Sequence, residues 1–214
     1  MTLFRRMAPW VVCSTLLIQG CAEQQPASVR YGLRTYPADG SSNWERPEHD
    51  RAPLRKLNPD ELQDAVPEPV TLAKYGNKTP YDVMGKRYYL MPTAKGYSEV
   101  GTGSWYGEKF QGQPTSTMEP YDLYSMTAAH KTLPIPTFAR VTNLDNNRSV
   151  IVKINDRGPF VDDRIIDLSY AAAVKIGYAD KGTAHVRVEA LTMDDAPVVT
   201  QGETRAFGSG KSGA

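Results

Sequence analysis

A carboxylate and a guanidinium stand side by side where an apolar stretch of the chain ends, at Asp156 and Arg157. Alternation along a strand would place Asp156 on the same face as Ile154, partly out of water. Partial burial favours the protonated form of a carboxyl group, which can then act as an acid near neutral pH. Gly158 and Pro159 then turn the chain, so we expect the acid at the rim of a sheet. A capped strand end with a structural Asp–Arg pair is the alternative interpretation.

Two further side chains are candidates for proton transfer. Glu119 lies in a loop of turn-forming residues, 114–122, where an acid either faces a groove or is simply solvated. His130 follows two alanines that leave room for close packing, and it is either an active-site residue or a hydrogen-bonded core histidine. Asp167 precedes a predicted helix, and we interpret it as structural.

Aromatic residues surround Glu119 in the sequence. Flat rings suit the C–H faces of sugars, and tyrosine hydroxyls suit sugar hydroxyls. This pattern indicates a carbohydrate-binding groove, although the protein core must also claim some of these side chains. The residues are Trp105, Tyr106, Phe110, Tyr121 and Tyr124.

Short strands and one helix are predicted to position these groups. Their number and spacing favour a small closed β-barrel in the mainly-β class. The turn signal of residues 145–147 separates two of the strands. The predicted strands cover 85–91, 99–107, 137–144, 149–155 and 184–191, and the predicted helix covers 170–176.

Composition excludes several classes of function. The chain has 214 residues, which suits one domain with extensions, and its net charge of +1 gives no reason to expect a nucleic-acid partner. Its three histidines are scattered and lack partner cysteines, so no metal site is predicted. No glycine loop suited to phosphate binding is present either, and we expect a monomer without a cofactor.

The N-terminus is typical of an exported lipoprotein. Two arginines precede an apolar segment, residues 7–18, that is too short to span a bilayer. A glycine and Cys21 follow. This resembles a bacterial lipoprotein signal over residues 1–20, in which the cysteine is lipidated and becomes the mature N-terminus. Ala22 favours an outer-membrane anchor facing the periplasm, and the alternatives are an ordinary signal peptide or a short membrane anchor.

Regions of low order are predicted on both sides of one domain. Residues 21–71 are rich in proline and charge and lack a sustained apolar period, which predicts a disordered tether. The ordered domain is predicted over residues 72–193. Residues 194–214 are polar and rich in glycine and serine, which predicts a disordered tail.

Several motifs, taken together and in this order, closely resemble the rare lipoprotein A (RlpA) family. The resemblance covers roughly residues 72–191, and the lipoprotein-like start fits the same family. The motifs are Gly103–Gly107, Glu119–Asp122, Thr127–Pro134, Val141–Asn143, Asn155–Phe160 and Arg164–Ser169.

The resemblance implies a fold, an activity and a site. The fold is a six-stranded double-psi β-barrel with short helices, related to that of expansins. The activity is that of a lytic transglycosylase, which cleaves the β-1,4 bond between N-acetylmuramic acid (MurNAc) and N-acetylglucosamine (GlcNAc) in peptidoglycan. The expected substrate is glycan poor in stem peptides, and the expected products carry 1,6-anhydro-MurNAc ends. Carried over by motif, Asp156 is the catalytic acid, with His130 and Glu119 beside it. The expected substrate-binding residues are Trp105, Tyr106, Tyr121 and Arg157.

Two features depart from the family pattern. Many relatives have glycine where this chain has Met118, which is expected to alter the loop that holds Glu119. Many relatives also carry a C-terminal SPOR domain that binds denuded septal glycan. Residues 194–214 are too few for such a domain, so targeting to the septum by that route is not expected.

The residues alone leave two other functions open. A non-catalytic module of this fold would bind peptidoglycan or loosen the wall without releasing products. An envelope scaffold would instead use the groove to recruit a partner protein.

Overall fold

The structure, a computed structural model, describes residues 47–161 and 163–192. This part of the chain forms eight strands, one α-helix and three short 3-10 helices. The strands are β1 (Tyr81–Val83), β2 (Lys86–Tyr88), β3 (Ser98–Tyr106), β4 (Thr127–His130), β5 (Thr137–Asn143), β6 (Ser149–Asp156), β7 (Ile166–Ser169) and β8 (Thr183–Leu191). Helix α1 spans Tyr170–Lys175, and the 3-10 helices span Pro59–Glu61, Glu108–Phe110 and Ala179–Lys181.

Six of the strands close into one barrel, in the order β3-β7-β4-β6-β5-β8. β3 pairs with β7, and β4 with β6, in parallel, whereas the other neighbouring pairs in the barrel are antiparallel. Parallel neighbours need crossover connections, so segments that are distant in sequence come to lie side by side. The arrangement confirms the predicted six-stranded double-psi β-barrel.

Buried and exposed residues alternate along strand β8, which places one face of the strand on the barrel core. Ala184, Val186 and Val188 are buried, while residues 183, 185 and 187 between and before them are exposed. Full burial of a valine contributes roughly 1.5–3 kcal/mol, so each inward position favours this register strongly. These buried residues belong to the core cluster of the barrel.

Helix α1 begins where the sequence predicts. Ser169 is its N-cap, and the serine hydroxyl accepts a hydrogen bond from the backbone N–H of Ala172 at 3.3 Å. The helix ends before Gly177, whose φ of +76° lies in the left-handed region that glycine adopts without strain. The buried alanines of α1 let the helix lie close against the barrel strands.

Two barrel strands, β4 and β7, are absent from the sequence prediction. Each has four residues, and each lies between two other strands. Four residues carry too little alternation to be recognised as a strand. β4 and β7 are stabilised by pairing with strands that are distant in sequence, and such pairing cannot be read from the periodicity of the residues within a strand.

Residues 47–71 differ from the disordered tether predicted for them. Leu62 is 6% exposed, and Asp50 accepts a hydrogen bond from the backbone N–H of Gly107 at 2.9 Å. The segment therefore lies along the barrel, held by scattered side-chain and backbone contacts and not by a periodic apolar face. The rest of the predicted tether and the predicted tail fall outside the described residues.

Among residues 47–161 and 163–192, no helix has the length and apolar character needed to cross a membrane. The predicted lipidation site, Cys21, lies outside the described residues.

Candidate active site

A β-bulge at the end of β6 decides where Asp156 points. In the pairing of β4 with β6, Ala128 is the partner of Ile154, but the next residue, Ala129, is the partner of Asp156, so Asn155 is an extra residue. Paired residues share a face, and consecutive residues alternate, so Asp156 lies on the opposite face from Ile154. The predicted shared face is therefore wrong. The bulge turns the carboxyl group away from the barrel core, although it still lies at the end of its strand.

One oxygen of Asp156 is held by three donors. Its Oδ1 accepts hydrogen bonds from the Ser116 backbone N–H (2.8 Å), the Ser116 Oγ (2.7 Å) and the Arg157 backbone N–H (2.7 Å). Within the described part of the chain, no hydrogen bond falls on Oδ2. The half-buried carboxyl group is thus oriented through one oxygen, which leaves the other free to meet a ligand.

Asp156 borders a pocket of about 370 Å³. Its walls combine aromatic and apolar side chains with both acids and bases, a mixture that suits a sugar residue with its hydroxyls and C–H faces. The polar and aromatic lining includes Tyr106, Tyr121, Asp156, Arg157, Arg164 and Asp167.

Two of the predicted substrate-binding tyrosines line this pocket as a stacked pair. The ring centroids of Tyr106 and Tyr121 are 4.1 Å apart, and the Tyr121 hydroxyl donates a hydrogen bond to the Tyr106 carbonyl. The Phe110 ring meets Tyr106 edge-on, with 6.1 Å between centroids. The three rings pack together as one aromatic wall of the pocket. They are the members of the predicted sugar-binding aromatic group that line this pocket.

Trp105, by contrast, makes structural contacts. Its indole Nε1 donates to the Ala179 carbonyl at 3.1 Å, and its ring meets Tyr170 edge-on at 5.2 Å. It packs against the apolar clusters inside the barrel and beside it, and it is not part of the lining of the Asp156 pocket. Its role in substrate binding stays a prediction.

Glu119 lies beside a different pocket from that of Asp156. Its carboxylate accepts hydrogen bonds from Lys153 Nζ (2.8 Å) and Asn155 Nδ2 (2.7 Å), and its side chain is 46% exposed. With Lys153 it borders a pocket of about 470 Å³. Burial acts to raise the pKa of Glu119, but the hydrogen bonds from Lys153 and Asn155 outweigh burial and lower it overall. The bulge residue Asn155 is its link to Asp156.

His130 is buried at the end of β4, with both ring nitrogens engaged. Nδ1 accepts hydrogen bonds from the backbone N–H groups of Thr132 (3.2 Å) and Leu133 (3.0 Å). The ring proton is therefore assigned to Nε2, which donates to the Tyr97 hydroxyl at 2.8 Å. That hydroxyl in turn donates to Glu99 Oε2 at 2.5 Å. These bonds occupy both ring nitrogens, and the active-site role predicted for His130 stays a prediction.

The environment of His130 predicts a pH-dependent stability. Burial, and then the positive charges of Arg157 and Lys131, lower the pKa of His130 from 6.5 to about 3. Below pH 6.5 the unfolded chain binds a proton that the folded chain excludes, so the folded state loses stability as the pH falls toward 3. At pH 5 this loss amounts to roughly 2 kcal/mol relative to pH 7.5.

Comparison of the wild-type protein with His130→Gln isolates the contribution of His130 to the pH dependence of stability. The pKa shifts of the other titratable groups are common to both proteins and cancel in the difference. We expect urea unfolding to show that the stability advantage of the wild type shrinks by about 2 kcal/mol between pH 7.5 and pH 5. A difference that stays constant over this range would contradict the neutral, buried assignment of the ring.

The guanidinium of Arg157 is largely occupied by the protein itself. Nε donates to the Gly76 carbonyl (2.8 Å), and Nη1 donates to the carbonyls of His130 (3.1 Å) and Leu133 (2.5 Å). Nη2 donates to Asn77 Oδ1 at 3.2 Å. One of its five N–H groups is left for a ligand. The structure thus gives Arg157 a positioning role, joining the segment around residue 76 to the end of β4, whereas its predicted substrate contact remains a prediction.

Ser116 is a contact of Asp156 that the sequence analysis did not single out. Its hydroxyl donates to Asp156 and also accepts a hydrogen bond from the Arg157 backbone N–H at 3.1 Å. A serine in a loop rich in serine and threonine carries no pattern that marks it as functional. Only the pairing of this loop with the end of β6 reveals it.

The loop that presents Ser116 turns sharply at Met118. Thr115 donates its backbone N–H to the Glu119 carbonyl at 2.8 Å, which closes the turn. Met118 has a φ of +71°, in the left-handed region that glycine occupies more readily than other residues. Methionine thus adopts a backbone conformation that favours glycine, and its side chain is 60% exposed. The altered loop shape expected from this residue stays a prediction.

Comparison with known proteins agrees with this geometry. Residues 98–188 match a double-psi β-barrel family described as "Lytic transglycolase". Over 181 residues the chain is 51% identical to a Pseudomonas aeruginosa protein named endolytic peptidoglycan transglycosylase RlpA, covering 83% of this chain and 51% of that protein. The chain belongs to the RlpA family.

Other RlpA proteins show the same degree of similarity. The Vibrio cholerae RlpA is 54% identical over 145 residues, covering 68% of this chain and 55% of that protein. The Neisseria meningitidis RlpA is 49% identical over 136 residues, covering 63% of this chain and 56% of that protein. The chain thus spans about half the length of the curated RlpA relatives that it matches.

Proposed function

We propose that this protein is an endolytic peptidoglycan lytic transglycosylase. It cleaves the MurNAc–GlcNAc β-1,4 bond of peptide-poor glycan strands and leaves 1,6-anhydro-MurNAc ends. The observation that carries this proposal is the geometry of Asp156, which is held through Oδ1 and offers Oδ2 to an aromatic-walled pocket. Relatives with about half of the aligned residues identical bear the name endolytic peptidoglycan transglycosylase, which supports both the substrate and the reaction.

Asp156 can carry both proton transfers of this reaction in turn. Protonated on Oδ2, it gives its proton to the glycosidic oxygen as the bond to the anomeric carbon breaks and positive charge develops there. The resulting carboxylate accepts the proton of the C6 hydroxyl of the same MurNAc. The C6 oxygen then closes the 1,6-anhydro ring, and no water is consumed. The donors on Oδ1 keep the carboxyl group oriented through both steps.

His130 and Glu119 support this site without sharing the pocket of Asp156. His130 holds the end of β4 through its ring, and its carbonyl accepts a hydrogen bond from Arg157. Glu119 holds the bulge residue Asn155 through a hydrogen bond of 2.7 Å, and its carboxylate is half exposed. In this proposal both residues position Asp156 or the glycan, and Asp156 contacts the reacting atoms.

Anchoring follows from the lipoprotein-like start of the chain. A lipid on Cys21 would hold the protein to the outer membrane, facing the periplasm, where peptidoglycan lies within reach. The protein would act there as a monomer and without a cofactor. Metabolic labelling with a palmitate analogue, compared between the wild type and Cys21→Ala, tests the anchor independently of the reaction.

Digestion of purified sacculi tests the proposed reaction. We expect soluble fragments with 1,6-anhydro-MurNAc ends by mass spectrometry, and more of them from amidase-treated sacculi than from intact ones. Reducing ends would show hydrolysis, which requires an activated water. Binding to sacculi without any soluble product would favour a non-catalytic wall-binding module.

Removal of the Ser116 hydroxyl should slow this reaction. Ser116→Ala takes one of the three donors from Oδ1 and lets the carboxyl group rotate, so we expect anhydro-product release to fall about tenfold, which corresponds to about 1.4 kcal/mol. Ser149→Ala, at the opposite and exposed end of β6, is the matched control and should keep the wild-type rate. Equal initial rates for the two variants would rule out a positioning role for Ser116.

A further inference from the structure

Asp167 lies on the same face of the barrel as Asp156. Between them is Ala129 of β4, which pairs with Asp156 of β6 on one side and with Asp167 of β7 on the other. Paired residues share a face, and neighbouring strands are about 4.8 Å apart, so the Cα atoms of the two acids are roughly 10 Å apart. Because Ala129 carries only a methyl group, no large side chain of β4 stands between the two carboxyl groups.

Both carboxyl groups border the same pocket, and the Asp167 carboxyl group is largely buried. Its side chain is 14% exposed, and its Oδ1 has no hydrogen-bond partner within the described residues. Arg164 approaches this oxygen to 3.4 Å through Nη1, at ion-pair distance only. The helix cap that follows is made by Ser169. A buried acceptor without a hydrogen bond is costly, and a catalytic role is one explanation for keeping it.

The two acids stand in different environments. Burial raises the pKa of Asp167 to about 6, against the opposing charges of Arg164 and Lys131. Oδ1 of Asp156 accepts three hydrogen bonds, whereas Oδ1 of Asp167 accepts none within the described residues. Two carboxyl groups in contrasting environments are what an acid and a base require. The titratable groups that face Asp167 are Asp50, Tyr106, Lys131, Arg164 and Tyr178, with Asp156 across Ala129.

We infer that Asp167 is a second catalytic carboxyl group, which protonates the leaving oxygen while Asp156 accepts the proton of the C6 hydroxyl. The inference rests on the proposed function and divides the two roles that Asp156 would otherwise fill in turn. The Asp167 O–H bond breaks, and its proton goes to the glycosidic oxygen as the bond from that oxygen to C1 breaks. The C6 oxygen bonds to C1, and its proton goes to Asp156. Exchange with solvent then returns a proton to Asp167 and removes one from Asp156.

Asp167→Asn tests the donor role, because asparagine keeps the shape of the side chain and has no acidic proton. We expect the rate of anhydro-product release from amidase-treated sacculi to fall about 100-fold or more. The residual rate should also lose its decline above pH 6, since that decline reports the ionisation of Asp167. Asp145→Asn, an exposed acid in the β5–β6 turn, is the control and should keep both the rate and the pH profile of the wild type.

Arg164→Gln supplies a second readout that a purely structural role of Asp167 would not change. Its guanidinium lowers the pKa of Asp167, so its removal should raise that pKa and extend activity to higher pH. We expect the alkaline limb of the pH–rate profile to move up by roughly one pH unit.

The outcomes separate the inference from the proposed function. A wild-type rate and profile in Asp167→Asn would overturn the inference and leave Asp156 acting alone. If Asp167→Asn does not fold, as judged by circular dichroism, an unmoved alkaline limb in Arg164→Gln would overturn the inference instead. A wild-type protein that releases no anhydro products would overturn the proposed function, and the inference with it.

Discussion

Replacement of Asp156 by asparagine should abolish the release of anhydro products from sacculi while leaving the protein folded and able to bind them. Asparagine keeps an oxygen at the Oδ1 position, so the Ser116 and Arg157 donors retain their acceptor. The position of Oδ2, which would exchange protons with the glycan, becomes an amide nitrogen that cannot act as an acid or base near neutral pH. We expect a loss of about 10³-fold or more in initial rate, equivalent to about 4 kcal/mol of transition-state stabilisation.

The measurement compares mass-spectrometric time courses of Asp156→Asn and of the control Asp145→Asn at equal protein concentration. Sacculus pelleting and thermal unfolding of both variants show whether binding and fold are retained. Release by Asp156→Asn at a tenth of the wild-type rate or faster would remove Asp156 from the reaction. If Asp156→Asn both released fewer anhydro products and pelleted less with sacculi, Asp156 would instead have a role in substrate binding.

The long barrel strands follow from local sequence, because alternation and turn chemistry are local properties. The turn at residues 145–147 separates predicted strands whose limits differ by a single residue from those of β5 and β6. In β8 the buried residues Ala184, Val186, Val188 and Ala190 recur at every second position. Each of these elements carries enough residues to reveal its own period.

The face of the barrel on which the site residues lie could not be derived from local sequence in the same way. The single extra residue Asn155 reverses the face of Asp156, and the bulge exists only because β6 pairs with the short strand β4. The same pairing brings Asp167 beside Asp156 through Ala129, although Asp167 in isolation has the pattern of a residue before a helix cap. Motif resemblance assigns a catalytic role to Asp156 because it compares whole sites, whereas periodicity describes one element at a time.

Arg157→Met should destabilise the protein more than any other single change proposed above. The guanidinium donates to three backbone carbonyls and to Asn77 Oδ1, and methionine of similar length fills the space without donating to any of them. Leaving these acceptors without partners should cost about 3–5 kcal/mol, which lowers the melting temperature by roughly 10 °C or more in a domain of this size.

Arg157→Lys separates geometry from charge in this network. Lysine keeps the positive charge, but its single ammonium group cannot reach acceptors on both the segment around residue 76 and the end of β4. We therefore expect it to recover less than half of the lost stability, measured by urea unfolding at pH 7.5. If Arg157→Met kept the wild-type melting temperature but bound sacculi more weakly, the stabilising role of Arg157 would be contradicted. That result would mean that the guanidinium binds glycan, as motif resemblance predicts, and that the loop around residue 76 is held by other contacts.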